Sequence, residues 1–112
     1  MIHEMHLHNE PFEKIKAGIK TIEMRVNDEK RRLFKVGDTI VITSRKSGEK
    51  INVKIVALYK MPSFADLYNK FNKIQLGYNK NEDAKPEDLE QYYPEEEVKK
   101  YGVVGIELKV IK

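Results

Sequence analysis

Within the eight residues Gly18-Ile19-Lys20-Thr21-Ile22-Glu23-Met24-Arg25, the chain places an amine, a hydroxyl, a carboxylate and a guanidinium. Read as a strand over residues 21 to 26, the alternation turns Ile22, Met24 and Val26 to one side and Thr21, Glu23 and Arg25 to the other, with Lys20 at the entrance. An amine beside a carboxylate in a cleft can move a proton or clamp an anion. A guanidinium fork suits phosphate or carboxylate. On an open surface the same row is only a ladder of ion pairs, worth little for stability. The strand pattern alone leaves both readings open.

Other side chains extend the candidate set. Thr21 is a conceivable nucleophile with Lys20 to activate it, although a structural threonine is the simpler reading. Arg31, Arg32, Lys35, Arg45 and Lys46 can form a basic rim that holds a phosphate backbone, or a solvated face broken by Asp28 and Glu29. Of the tyrosines and phenylalanines able to stack on an unpaired base, Tyr78 stands out because it lies in a polar stretch. His6 and His8 share one side of a strand and His3 does not, which is too few ligands for a metal. No metal or other cofactor is expected.

The elements that must position these groups follow from the pattern. Residues 2 to 7 alternate as a first strand. A helix follows, with Asn9 as its cap, Pro11 in its first turn and Phe12, Ile15 and Ile19 at helical spacing. Gly18 suits its C-terminal end. Strands are expected over 39 to 43, 51 to 60 and 102 to 111, with Gly48 in a hairpin turn and Val56 and Leu58 buried on a second face. Ser63 and Asp66 form the acidic variant of a capping box ahead of a helix carrying Phe64, Leu67, Tyr68 and Phe71. Residues 72 to 85 read as a long loop, and short helical turns follow Pro86 and Pro94.

Length and composition set the outer bounds. A chain of 112 residues suggests one domain, 1 to 112, with a single core. With 35% charged residues and a net charge of +3, the surface is heavily charged and permits nucleic-acid binding without requiring it. The absence of cysteine excludes disulfides, a thiol nucleophile and a thiolate zinc site. No apolar run reaches spanning length and the start lacks a signal-peptide pattern, so a cytoplasmic location and no membrane partner are expected. The oligomeric state is not encoded in these patterns.

Gly18, Lys20, Glu23 and Arg25 fit the G-x-K-x-x-E-x-R signature of the ASCH domain, and three further stretches resemble that family in the same order: 35 to 38, 63 to 67 and 100 to 106. The resemblance implies an α+β fold, a small PUA-like, partly open mixed β-barrel of about five strands with two main helices covering its ends. It implies a polar cleft, here floored by Lys20, Thr21, Glu23 and Arg25, and the residue reading adds Arg31, Arg32, Arg45 and Tyr78 as candidate ligand contacts. The function implied first is recognition of RNA or of a nucleoside or nucleotide ligand. The alternative is hydrolysis, of an acetylcytidine-type amide or of RNA, with Lys20, Glu23 and Thr21 catalytic. Related amidohydrolases use a Lys, a Thr and a Glu. This chain matches the Lys at Lys20 but has Glu23 and, on an approximate alignment, Gln75 at the other two positions.

Overall fold

Five strands hydrogen-bond into one mixed sheet in the computed structural model, which describes residues 1–111. They are β1 (Ile2–Leu7), β2 (Ile22–Val26), β3 (Thr39–Ser44), β4 (Lys50–Met61) and β5 (Val103–Val110), in the spatial order β1-β3-β4-β5-β2. Only β1 and β3 run parallel, and the other neighbours are antiparallel. The sheet curls into an open half-barrel, so β1 and β2 remain as its two free edges. Four helices accompany it: α1 (Asn9–Lys16), α2 (Phe64–Lys70), α3 (Glu87–Glu90) and α4 (Glu95–Tyr101).

Two apolar clusters lie on opposite faces of the sheet. Met5, Leu7, Ile40, Ile42, Val53, Ile55, Val104 and Ile106 fill the first, with Phe12 and Ile15 of α1 packed into it. Ile22, Met24, Val26 and Val103 meet Phe64 and Leu67 of α2 and Leu76 in the second. Gly105 lets α2 approach: a Cβ there would meet Leu67 Cδ2 at 3.1 Å.

Several local expectations are corrected. Asn9 does not cap α1; His8 occupies that position without a side-chain bond, and Asn9 Oδ1 instead accepts from Ser44 Oγ at 2.9 Å. Ile19 lies beyond the helix and is half exposed, because α1 ends at Lys16 before the periodicity reaches it. Val56 is exposed rather than buried, since it sits where a bulge between Ile55 and Ala57 shifts the register against β5. The box at α2 forms as expected, with the Ser63 N–H and hydroxyl both donating to Asp66 Oδ2.

Candidate functional site

Strand register decides which way the polar row faces. Glu23 pairs with Ile106 and Arg25 with Val104, both members of the first cluster, so these two side chains lie on the inner face of the half-barrel. Ile22, Met24 and Val26 anchor the strand from the other face. The two edges of the sheet, β1 and β2, border a cleft lined by Leu7 and His8 at the end of β1 and by Glu23 and Arg25 of β2.

Lys20 is delivered to this cleft by the end of α1. The Gly18 N–H donates to Ile15 O (3.0 Å) and the Ile19 N–H to Lys14 O (2.9 Å), the paired bonds of a Schellman turn, with Gly18 at φ +78°. The Lys20 N–H bonds Lys14 O as well (3.1 Å), and the N–H groups of Thr21 and Ile22 both donate to Gln75 O at 3.0 Å. The backbone entering β2 is thus held from two sides before any side chain acts.

At the cleft floor Lys20 Nζ donates to Glu23 Oε1 at 2.7 Å, while Arg25 donates to Oε2 through Nε (3.0 Å) and Nη2 (2.9 Å). The Glu23 side chain is 6% exposed, Lys20 11% and Arg25 21%. Burial by itself would raise the Glu23 carboxyl, but the Lys20 amine and the Arg25 guanidinium outweigh it and hold the group down to about 2. Three of the four acceptor positions of this carboxylate are filled, leaving one on Oε1. Glu23 therefore acts mainly as a clamp that orients two cations.

Two neighbouring hollows have Lys20, Glu23, Met24 and Leu89 in common among their lining residues. One, of about 200 Å³, is walled by Glu10, Tyr68, Gly77, Tyr78 and Glu82. The other, of about 300 Å³, is walled by His6, His8, Arg25, Arg45, Tyr92 and Tyr93. The long stretch 72 to 85 forms the outer wall of the first. It is tied down by Leu76 in the second core, by Tyr78 Oη on Tyr68 Oη and Asp88 Oδ2 (2.7 Å each), and by Lys73 on two carbonyls.

The structure brings Lys20, Glu23, Arg25, Arg45 and Tyr78 to one cleft, and leaves other expected residues outside its walls. Thr21 precedes β2 and lines a separate hollow with Gly18, Lys20, Leu108 and Lys109, away from Glu23 and Arg25. Arg32 folds the other way, its Nε on Asn27 O (2.9 Å) and its guanidinium over the Tyr101 ring. Arg31 is half-buried beside Phe34; burial and the neighbouring Arg25 lower its guanidinium, and its Nε is buried without a partner among the described residues. The Gln75 side chain turns to Asn72, away from Glu23. Glu10, His6, His8 and Leu89 enter the site although no motif marks them. Only the alternation of β1 and the turn after it carried a hint, for the two histidines.

A mixed half-barrel with a polar cleft at its open seam defines the class of this molecule. The chain belongs to the ASCH domain family, whose model matches residues 5–112. Among solved structures it is similar to the hypothetical protein PH0355, with 37% identity, a TM-score of 0.82, and 99% of this chain and 100% of that one covered. It is similar to protein PF0455 from Pyrococcus furiosus, with 34% identity, a TM-score of 0.79, and coverage of 100% and 99%. A mutant of the ZmASCH protein from Zymomonas mobilis shares the fold at 16% identity and a TM-score of 0.63, with 96% of this chain and 67% of that chain covered. No curated protein matches.

Proposed function

We propose that the protein binds RNA or a nucleotide-like ligand in the cleft between β1 and β2. One observation carries this reading: a buried carboxylate fixes an amine and a guanidinium side by side at the bottom of a hollow with aromatic and basic walls. Such a floor favours negative charge, and the tyrosines offer faces on which an unpaired base can stack. Membership of the ASCH family agrees with a nucleic-acid partner.

Hydrolysis is less well supported. With Lys20 as general base or acid and Glu23 as its partner, the amine would have to exchange protons while it donates to a carboxylate that Arg25 also holds and that is kept ionised, down to about 2. Thr21, the conceivable nucleophile, shares a hollow with Lys20 but not with Glu23 or Arg25.

The test is binding of a short unstructured RNA, followed by fluorescence anisotropy across a range of KCl concentrations. Affinity should fall with salt, as expected when basic side chains displace counterions, and Lys20→Ala should weaken it. Release of cytidine from acetylcytidine, or RNA cleavage, abolished by Lys20→Ala would overturn the binding reading in favour of the enzyme.

A further inference from the structure

The two halves of the cleft differ in charge. Besides the shared residues, the ionisable walls of the smaller hollow are Glu10, paired with Lys14 at 3.3 Å, Glu82, which accepts from the Asn79 N–H at 2.7 Å, and the phenols Tyr68 and Tyr78. The larger hollow carries Arg25, Arg45, His6 and His8, with Tyr92 and Tyr93, and its one acid is Glu23, already bonded on both oxygens. The ligand that matches this gradient has a neutral, donor-rich head and an anionic tail.

Arg25 is built for such a tail. A guanidinium has five N–H donors. Two of them hold Glu23 and the Tyr93 hydroxyl lies beside the guanidinium, which leaves further N–H groups to turn toward a ligand. Arg45 is fixed close by through its backbone, its N–H donating to Leu7 O at 2.8 Å at the end of β1, while its side chain is exposed. Arg25 thus lines the larger hollow from β2, and Arg45 from the turn after β3, next to the end of β1. Tyr92, 72% exposed, is a large aromatic ring without a packing role that would account for it.

We infer that the cleft recognises a phosphorylated nucleoside in one fixed direction. The base enters the smaller hollow beside Tyr68 and Tyr78, and the phosphate lies in the larger one among Arg25, Arg45, His6 and His8, with Tyr92 flanking it. This rests on the reading of the cleft as a nucleotide site and adds the ligand class and its orientation. His6 and His8 acquire a role as phosphate donors, a use of neutral or charged imidazole N–H groups that needs no metal.

The experiment is calorimetric titration of the intact chain with the four ribonucleosides, their 5′- and 3′-monophosphates, and inorganic phosphate. At least one monophosphate should bind about tenfold or more tightly than its parent nucleoside, the increment expected of charge-assisted hydrogen bonds to phosphate. Arg45→Gln and His8→Gln, both at exposed positions and checked for folding by thermal melting, should each shrink the ratio of nucleotide to nucleoside affinity. Equal affinity for nucleoside and monophosphate, or a ratio untouched by both variants, would overturn this inference while leaving the nucleotide site standing. Failure of every nucleoside and monophosphate to bind would sink the site itself, and the inference with it.

Discussion

The stem of Lys20 lies against the backbone of Gly77, so closely that a β-carbon on Gly77 would meet Lys20 Cδ at 2.8 Å. The loop after α2 and the entrance of β2 are therefore fitted to each other, and the amine is aimed at Glu23 partly by what the loop lacks. Gly77 also sits at φ +105°, a conformation that L side chains rarely adopt.

Gly77→Ala should accordingly be harmful twice, through backbone strain and through displacement of Lys20. The strain alone is about 1–2 kcal/mol. Urea unfolding should show a loss at least that large. In a Lys20→Ala background the same change should cost less, because the clash is gone and only the strain remains. Equal costs in both backgrounds would show that the two residues are not coupled.

Glu23→Gln removes the single carboxylate that two cations share. Breaking a buried ion pair by deleting one partner typically costs about 3–5 kcal/mol, and Lys20 and Arg25 are exposed enough to relax toward solvent, so the lower end is expected. Chemical denaturation checks this directly. A change below about 0.5 kcal/mol, the range of ordinary surface substitutions, would mean that the triad does not organise the cleft.

Stability should also depend on acid in a defined window. The folded Glu23 carboxyl is held down to about 2 from an ordinary value of 4.5, so its contribution is fully present above about pH 4.5 and is lost as pH falls toward 2. Asp38 behaves alike: His3, at 2.8 Å, and the N-terminal amine hold it down to about 2. Thermal midpoints should fall through this window in the wild-type chain. In Glu23→Gln the fall should be shallower, with the remaining slope owed to groups such as Asp38.

Tyr78→Phe deletes the hydroxyl that joins Tyr68 to Asp88. Asp88 and Tyr68 then lose a partner in a half-buried setting, for a cost of about 1–3 kcal/mol. Hydrogen exchange should quicken along residues 72 to 88 and stay unchanged in β3 and β4. Uniform quickening across the chain would instead mark Tyr78 as a residue of the global core.

Much of this was legible in the residues, for identifiable reasons. Period-two alternation placed Ile22, Met24 and Val26 against Glu23 and Arg25, and Gly18 announced the turn that presents Lys20. The capping box at Ser63 is a local pattern that survives any tertiary context. What escaped is non-local. Nothing in the spacing reveals that β1 and β2 become opposite edges of one sheet, and so nothing brings His6 and His8 to face Arg25. Thr21 shares the parity of Glu23 in sequence, but the strand starts one residue later, where the Gln75 carbonyl takes both adjoining N–H groups. Arg32 looked like part of a basic rim because charge in a sequence has no direction; Tyr101, far along the chain, claims it.

The most direct test is a backbone-amide NMR titration of the protein with a short single-stranded RNA and with the ribonucleoside monophosphates. Shifts concentrated at Lys20, Glu23 and Arg25, at His8 and Arg45, and at Tyr78 and Tyr93 are predicted, fading as salt is added. Saturable shifts confined to the outer face of β3 and β4, with these residues unmoved, would contradict the account.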